Sequence, residues 1–217
     1  MTRPRQNTAV VPRSPQQARG RERVAAILDA CARLILVESS DKLSMHMIAK
    51  EAGTSIGSMY HFFSDRQAVL VALGERHLEA IRQVTDEILA ISETQWVQAD
   101  SAQVVEWLVM PVLRYIEMQP DFMLMISPGF SAGPLRAPTL QAEIEALYAR
   151  VLALRAPTLK GTLLQRTVRT LFGLPLGLIQ ITLSNSEFKR EILLEEAPTA
   201  LTAYLDKVEK GDAARGG

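Results

Sequence analysis

The sequence predicts an all-α protein in which a small amino-terminal domain of three helices precedes a larger helical domain. The first observation is the stretch Ser44–Phe63, where two short amphipathic segments flank a glycine break that is too short for a domain linker. The second is that apolar residues recur at intervals of three and four through most of the chain after residue 66. The third is size, because 217 residues, 47% of them hydrophobic, suffice for one small and one larger core.

The stretch Ser44–Phe63 carries the capping signals of a helix-turn-helix. Ser44 is a natural N-cap for a first helix of about two turns, and Ser55 can cap a second one. Between them, Gly53 tolerates the left-handed conformation at which the first helix ends. Ala49 lies four residues before Gly53, where a small side chain lets the second helix cross closely.

The second of these helices is expected to present a polar face. Its inward residues are Ile56, Met59 and Phe63, and its outward residues are Thr54, Ser58, Tyr60 and His61. Hydroxyl, phenol and imidazole groups can donate to phosphate oxygens or reach base edges in a major groove. The outward face therefore suits contact with DNA.

An earlier helix is expected to complete the three-helix domain. Ser14 and Pro15 combine an N-cap with a first-turn proline, which predicts a helix start. Its inward stripe is Val24, Ile27, Cys31, Leu34 and Ile35. Since Cys31 lies in that stripe, we interpret it as a core residue rather than a reactive thiol. A single cysteine cannot form an intramolecular disulfide, which favours a reducing compartment.

Ten residues between Ser44 and Arg66 form a pattern of residue types at fixed spacings. They are Ser44, Ile48, Ala49, Ala52, Gly53, Ser55, Gly57, Tyr60, Phe63 and Arg66. The pattern resembles the DNA-binding domain of the tetracycline-repressor (TetR) family, and the resemblance covers roughly residues 20 to 73. It implies a homodimeric transcription regulator, a repressor, that binds a palindromic operator in double-stranded DNA. The remainder resembles the family only in length and helical layout.

The resemblance also implies roles for individual residues. Ser44, Thr54, Ser55, Tyr60 and His61 would contact phosphates, Ser58 and the Gly57 backbone would face base edges, and Arg66 would clamp the DNA backbone. Ile56 and Phe62 depart from the family, which often has polar or basic residues there, so fewer hydrogen bonds are available. Ile56 stays in the expected DNA-binding set by position, and basic character would come from Arg19, Arg21 and Arg23.

Charge is unevenly distributed although the net charge is zero. Residues 1–66 carry 10 Lys and Arg against 6 Asp and Glu, whereas residues 67–217 carry 14 against 18. The basic first part suits a polyanion. Residues 1–13 contain three arginines and no acidic residue, so we expect a flexible arm that either follows DNA phosphates or only aids solubility.

A long helix is expected to start at Arg66 with Asp65 as its N-cap and to run about 26 residues. His77 lies on its apolar stripe and is interpreted as a partly buried, hydrogen-bonded histidine. These observations predict a flexible basic arm at 1–13, a DNA-binding domain at 14–66, a ligand-binding and dimerisation domain at 67–210, and a polar tail at 211–217.

The larger domain is expected to be helical throughout. The predicted segments are Ala102–Met118 with a kink at Pro111, Phe122–Ile126 capped by Asp121, a loop over Pro128–Pro138, Thr139–Leu154, Gly161–Leu183, and one broken or two short helices over residues 186–210.

The segment Gly161–Leu183 is apolar on more than one face. Arg166, Arg169 and Pro175 argue against a membrane span, so burial against its own core and a second subunit explains it better. In the resembling family the last two long helices pair with their copies, which implies a homodimer through the helices around 161–184 and 186–210.

A small-molecule pocket is expected among large, adaptable side chains of the larger domain, although such stripes also form ordinary cores. The candidates are Trp107, Met110, Arg114, Tyr115, Met118, Phe122, Met123, Met125, Phe130, Tyr148 and Phe172. Arg114 either faces an acidic ligand or is solvated.

No motif in the sequence indicates catalysis. Gly53 to Gly57 match G-x-S-x-G, the nucleophile elbow of esterases, but that elbow must follow a β-strand, and the residues before Gly53 read as a helix. The histidines lack HExxH spacing, the lone cysteine makes no zinc ribbon, and no phosphate-binding loop is present. We therefore expect no catalytic residue, metal or cofactor.

The sequence thus predicts a ligand-responsive transcriptional repressor that a small apolar or amphipathic effector releases from DNA. No segment has the apolar core of a signal peptide or the length of a membrane span, so the protein is expected to be soluble and cytoplasmic. The alternative is a helical ligand-binding or interaction module with weak or non-specific DNA binding, which Ile56 and Phe62 favour.

Overall fold

The computed structural model describes residues 15–38, 42–126, 137–184 and 187–216. Within these ranges the chain forms helices and no strand, which confirms the all-α class. The helices are α1 (Pro15–Val37), α2 (Met45–Glu51), α3 (Ile56–Phe62), α4 (Arg66–Leu89), α5 (Glu93–Gln98), α6 (Ser101–Leu108), α7 (Met110–Met118), α8 (Asp121–Ile126), α9 (Ala137–Arg155), α10 (Gly161–Ser184), α11 (Lys189–Glu191) and α12 (Ala197–Gly216), with a π-helical turn at Ile192–Glu196.

The chain forms two compact units that divide between Val69 and Leu70. In the first unit α1 packs against α2, and α2 packs against α3. Ile27, Cys31 and Met59 are completely buried at the centre. Burying an apolar side chain of this size contributes about 1.5–3 kcal/mol, so this small core depends on a few residues. The interpretation of Cys31 as a core residue is confirmed.

The helix-turn-helix forms from the local signals that predict it. The Ser44 hydroxyl oxygen accepts from the backbone N–H of Met47 at 3.2 Å, which caps α2. The Ser55 oxygen accepts from the N–H of Ser58 at 3.1 Å, which caps α3. Between the helices, Gly53 has a φ of +62°, the left-handed conformation that glycine adopts without steric cost.

The second unit is held together at its carboxyl end by Arg155, the last residue of α9. Its guanidinium is 6% exposed and donates to both carboxylate oxygens of Glu209 on α12, at 2.6 and 2.9 Å. It also donates to the carbonyl oxygens of Trp96 and Ala99 at the end of α5. One buried cation therefore joins α9, α12 and the end of α5.

Two features of the region before α7 differ from the expectation. The helix α5, which has a complete capping box between Ser92 and Gln95, is absent from the helices that the sequence predicts. The predicted kink at Pro111 is a full break, because α6 ends at Leu108 and α7 begins at Met110. Proline has no N–H to donate to the preceding turn, so the helix is interrupted before Pro111 rather than bent at it.

The predicted N-cap at Asp121 is wrong. Asp121 is the first residue of α8, and its side chain is buried, with 2% exposed. Its carboxylate contacts the His77 ring at 2.7 Å rather than the backbone of its own helix.

The last helices are more continuous than predicted. The π-helical turn Ile192–Glu196 leads directly into α12, and the wider turn accommodates Pro198, which lacks an N–H. The predicted polar tail at 211–217 is helical as far as Gly216. Asp212 in that segment is buried and accepts from the N–H of Thr158 at 3.0 Å.

Two further predicted boundaries differ in detail. The α4 helix has 24 residues and ends at Leu89. Residues 137 and 138 of the predicted loop begin α9, and the rest of that loop up to 136 lies outside the described residues, as do Ser14 and the arm at 1–13. The α10 helix continues through Pro175, in agreement with the single segment predicted over Gly161–Leu183.

Candidate nucleic-acid interface and ligand cavity

The helix α3 carries the polar surface that the sequence predicts. Tyr60 has 53% of its surface exposed, and His61 is also exposed. Ser58, Thr54 and Ile56 are half-buried, so Ile56 is only partly turned into the core. The exposed ring edges at the end of α3 are therefore accessible to another molecule.

The hydroxyl protons of the two capping serines are not used in capping. The oxygen of Ser44 or Ser55 accepts from its own helix, and both side chains are exposed. A hydroxyl has one O–H donor besides its acceptor lone pairs. Each serine can therefore cap its helix and donate to a phosphate oxygen simultaneously.

The arginines of α1 lie on the exposed side of the first unit. Arg19, Arg21 and Arg23 are all exposed. The Nη1 of Arg23 donates to the Ser58 hydroxyl at 3.2 Å, which places its guanidinium beside α3. The side chain predicted to supply basic character is thus adjacent to the helix predicted to read bases.

Arg66 has a structural partner in addition to its predicted role. It is half-buried, and its Nη1 donates to the carbonyl oxygen of Leu43 at 3.3 Å, immediately before the cap of α2. This bond ties the start of α4 to the start of α2. Replacing Arg66 therefore perturbs the fold of the first unit as well as any contact with DNA.

The G-x-S-x-G match at Gly53 to Gly57 lacks the structural context of a nucleophile elbow, as the sequence predicts. The seven residues Met45–Glu51 before the Gly53 turn form a helix, not a strand. The oxygen of Ser55 caps α3. The serine therefore functions in helix capping.

The second unit contains a cavity of about 340 Å³. This volume lies within the range of small-molecule sites. The cavity is lined by Val109, Val112, Leu113, Ile116, Phe122, Met123, Leu140, Gln141, Ile144, Tyr148, Phe172, Pro175, Leu176, Ile179 and Gln180. The walls therefore come from α7, α8, α9 and α10, together with Val109, which lies between α6 and α7.

Four of the predicted pocket residues line this cavity, namely Phe122, Met123, Tyr148 and Phe172. The others that the structure describes do not, and they are Trp107, Met110, Arg114, Tyr115, Met118 and Met125. Phe130 lies outside the described residues.

The reasons for these exclusions are visible in the packing. Met110 and Met125 are buried away from the cavity, and Met118 is 65% exposed. Arg114 is exposed and pairs with Glu106 at 2.6 Å, so of its two predicted alternatives the structure favours the solvated one. The Trp107 ring packs edge-on against Trp96.

Most lining residues that the sequence does not single out are ordinary aliphatics. Leu140, Ile144 and Ile179 are apolar residues of the predicted helices Thr139–Leu154 and Gly161–Leu183. Periodicity identifies an apolar face but cannot tell a filled core from a space between helices. Only the gap among α7, α9 and α10 makes them a cavity wall.

Tyr148 is the most buried polar group on the cavity wall, with 4% of the residue exposed. Its ring packs edge-on against Phe172, with ring centroids 6.2 Å apart. Burial raises the pKa of the Tyr148 hydroxyl well above its usual range, so the group is a neutral donor at physiological pH.

A second polar group of the second unit is the His77 cluster, which we define as His77, Tyr115 and Asp121. His77 is completely buried, with Nδ1 2.5 Å from the Tyr115 hydroxyl and Nε2 2.7 Å from the Asp121 carboxylate. An ionised carboxylate only accepts, so Nε2 carries the proton and Nδ1 accepts from the tyrosine. Burial, followed by the charge of Asp121, raises the pKa of Tyr115 to about 12. His77 is thus hydrogen-bonded as predicted, but fully rather than partly buried.

Two other kinds of site are absent from the part of the chain that the structure describes. No described helix is long and apolar enough to cross a membrane. In the same ranges, no group of three or more His, Cys, Asp or Glu side chains is placed to hold a metal ion.

Two family models match the sequence. The model for bacterial regulatory proteins of the tetR family matches residues 27–73. The model for a tetracyclin repressor-like carboxyl-terminal domain matches residues 100–205. The two matches fall in the first and second units respectively, apart from the four residues 70–73. A comparison with curated proteins found no match.

Three solved structures have a similar fold and low sequence identity to this chain. MexZ, a repressor responsible for antibiotic resistance in Pseudomonas aeruginosa, has a TM-score of 0.61 and 19% identity, covering 87% of this chain and 95% of that one. The fatty acid degradation regulator FadR from Bacillus halodurans has a TM-score of 0.58 and 13% identity, covering 88% and 97%. SmeT, solved in complex with triclosan, has a TM-score of 0.54 and 18% identity, covering 84% and 90%.

Proposed function

The chain belongs to the TetR family of bacterial regulatory proteins, and we propose that it is a homodimeric repressor of transcription that a small effector releases from a palindromic operator. That it is a transcriptional regulator follows from the family. The observation that supports specific DNA binding is the surface of α3, where Tyr60 and His61 are exposed and Arg23 lies against Ser58. These groups supply donors for phosphates and base edges.

The apolar surface of α10 supports the proposed homodimer. Leu174 and Ile181 are 41% and 58% exposed, and their spacing of seven residues places them on one face of the helix. Phe188, which precedes α11, is 57% exposed. A methyl group added at Gly173 or Gly177 of the same helix would meet no atom within 4 Å, so a partner helix has room to approach there. Exposed apolar surface of this kind is typical of an interface between subunits.

The cavity supports the proposed response to an effector. Its volume and apolar walls suit a small apolar or amphipathic molecule. SmeT, a protein of similar fold, was solved with triclosan bound, so this architecture accommodates a small molecule. In the proposed mechanism an occupied cavity favours a conformation of the second unit in which α4 sets the two DNA-binding units at the wrong spacing for successive major grooves.

Recovery of bound genomic DNA tests the proposal directly. Purified protein is mixed with fragments of its own genome, and the retained fragments are sequenced. The expected result is a shared inverted repeat with half-sites about one helical turn apart. Recovery of fragments without a common palindrome would favour the alternative of a ligand-binding module with non-specific DNA affinity.

Variants of the α3 surface test the assignment of the contacts. Tyr60→Ala should weaken binding to all sequences alike, because the residue is assigned to phosphate rather than to bases. Tyr60→Phe keeps the exposed ring and removes only the hydroxyl, so it should weaken binding to a similar extent if the hydroxyl makes the phosphate contact. An unchanged affinity of Tyr60→Ala in a gel-shift assay would show that this face does not contact DNA.

The proposed homodimer has its own test. Ile181→Glu places a charge in the exposed apolar face of α10 and should reduce the mass measured by light scattering to that of one chain. The matched control is Gln165→Glu, which adds the same charge to an exposed position nearer the start of α10. A dimer that persists in Ile181→Glu would place the interface elsewhere.

A further inference from the structure

The cavity in the second unit has a particular distribution of polar groups. Among its described lining residues, only Gln141, Gln180 and Tyr148 have polar side chains, and none is charged. Gln141 and Gln180 are exposed, so they lie at the edge of the cavity. The Gln141 amide already donates to Glu145 at 2.6 Å. The interior wall is therefore apolar except for one tyrosine.

The hydroxyl of Tyr148 has no hydrogen-bond partner among the described residues, although the residue is more than nine-tenths buried. Described side-chain oxygens that are completely shielded from solvent all have a partner. The Tyr148 oxygen must therefore keep some accessible surface. Because the Tyr148 side chain lines the cavity, we assign that surface to the cavity. Buried tyrosine hydroxyls usually find a partner, so an unpaired one facing an open space indicates a missing acceptor.

The uncharged lining restricts which acceptor can fill that position. An ionised carboxylate brought into the cavity would lose its hydration and would find no cation among the described lining residues. A carbonyl, ether or hydroxyl oxygen loses less on leaving water, and one donated hydrogen bond is enough to satisfy it. The cavity thus favours a neutral acceptor over an anion.

We propose that the cavity binds a neutral, largely apolar molecule whose single hydrogen-bond acceptor receives the hydroxyl proton of Tyr148. The aromatic rings of Phe122 and Phe172 and the aliphatic walls contact the rest of the molecule. This inference rests on the proposed function and deepens it, because it defines the chemical class of the effector. Fatty acids and other anionic amphiphiles are excluded from that class.

A set of three probes with one ring system tests the proposal. They are 2-acetylnaphthalene, which has a neutral acceptor, 2-ethylnaphthalene, which has none, and 2-naphthoate, which is anionic at pH 7. Binding of each to the purified full-length chain is measured by calorimetry. The variant is Tyr148→Phe, which keeps the ring that packs on Phe172. The matched control is Tyr204→Phe on α12, which does not line the cavity.

We expect the protein to prefer the ketone to the hydrocarbon, and this preference to depend on the Tyr148 hydroxyl. The ketone should bind the wild-type chain about 3- to 10-fold more tightly than the hydrocarbon, the value of one ordinary hydrogen bond. It should lose that advantage in Tyr148→Phe and keep it in Tyr204→Phe, while the hydrocarbon binds all three proteins alike. The carboxylate should bind at least about 10-fold more weakly than the ketone.

Other results would overturn the inference. Tightest binding by 2-naphthoate would refute the neutral class, and an unchanged preference in Tyr148→Phe would refute the assigned donor. Absence of binding by all three probes would refute the cavity as a site for this class. None of these outcomes alters the recovery of a palindromic site from genomic DNA, so failure of the inference is distinguishable from failure of the proposed regulator.

Discussion

Replacing Asp121 by alanine should destabilise the second unit by about 2–3 kcal/mol. The carboxylate of Asp121 is buried and accepts from the Nε2–H of His77 at 2.7 Å. Alanine removes the acceptor and leaves the ring N–H of a completely buried histidine without a partner. A hydrogen bond to a charged group is worth about 1.5–3 kcal/mol, and an unsatisfied buried donor costs about 1–3 kcal/mol, so these overlapping effects set the expected range.

Replacing Tyr115, the other hydrogen-bond partner of His77, should lower the free energy of unfolding by less. Tyr115→Phe removes the hydroxyl that donates to Nδ1 and leaves an acceptor unfilled. Tyr115 is only half-buried, so water can replace part of the lost bond. The expected cost is about 1 kcal/mol, the typical net value of a neutral hydrogen bond. The two variants therefore have a predicted order as well as predicted magnitudes.

Tryptophan fluorescence is a suitable probe for this comparison. The chain has two tryptophans, Trp96 and Trp107, and both lie in the second unit with ring centroids 5.7 Å apart. Their emission during urea unfolding therefore reports on the unit that contains the His77 cluster. All variants are compared at one protein concentration, because association of chains would add to the apparent stability.

Two further variants decide whether the reasoning holds. Asp121→Asn keeps an acceptor oxygen for Nε2–H and should fall between the wild type and Asp121→Ala. Asp86→Ala removes an exposed carboxylate from α4 and should change the free energy of unfolding by no more than about 0.5 kcal/mol. The assigned hydrogen bonds would be refuted if Asp121→Ala cost no more than Asp86→Ala, or if Tyr115→Phe cost more than Asp121→Ala.

Three more substitutions have defined outcomes. Gly53→Ala should destabilise the first unit by about 1–2 kcal/mol in circular-dichroism unfolding, because the added Cβ meets no atom but φ is +62°. Gly57→Ala lies in a helix, where the added Cβ also meets no atom, and should stabilise the unit by up to about 1 kcal/mol. Arg155→Met should cost about 3–5 kcal/mol in urea unfolding, because it leaves the Glu209 carboxylate and two carbonyls without their cation. Hydrogen bonds from the Ala68 backbone and the Ser64 hydroxyl lower the pKa of Asp65. The stability that the ionised carboxylate adds is therefore present at neutral pH and is lost as the pH falls through the lowered pKa, so Asp65→Ala should approach the wild type in acid.

Features that depend on neighbouring residues were predictable from the sequence. Ser44 and Ser55 each cap a helix by accepting from the backbone N–H three residues later in the chain. Gly53 adopts its left-handed conformation in the turn between those two helices. Cys31 was predictable because helical spacing alone places it on the apolar face of α1. Each of these outcomes is decided within a few residues, so no knowledge of tertiary structure was required.

Features that depend on distant partners were not predictable. Asp121 has the sequence context of an N-cap, but its carboxylate is hydrogen-bonded to His77, which lies 44 residues earlier. Asp212 reads as part of a polar tail, yet Thr158 binds it from 54 residues away. In both cases the polar residue type and its neighbours predicted an exposed side chain, whereas a distant partner buries it. Hydrophobic periodicity along the chain does not reveal such a partner.

The cavity shows the same limit in the candidate site. Large side chains indicated its neighbourhood, and Phe122, Tyr148 and Phe172 do line it. Met118, with the same adaptable chemistry, is exposed instead. Residue type indicates what can line a cavity, whereas the separation of α7, α9 and α10 decides which residues do so.

The structural bond of Arg66 determines how its proposed contribution to DNA binding must be measured. Its guanidinium donates to the Leu43 carbonyl, so Arg66→Ala can weaken binding by loosening the entry to α2 even if no phosphate contact is lost. The two causes differ in their salt dependence. Losing one phosphate contact lowers the slope of log affinity against log salt concentration by about 0.9, whereas a loosened fold leaves that slope unchanged. Arg66→Lys keeps the charge but loses the planar fork. A lowered slope in Arg66→Ala, together with the wild-type slope and a lower affinity in Arg66→Lys, would assign Arg66 to the fold as well as to DNA.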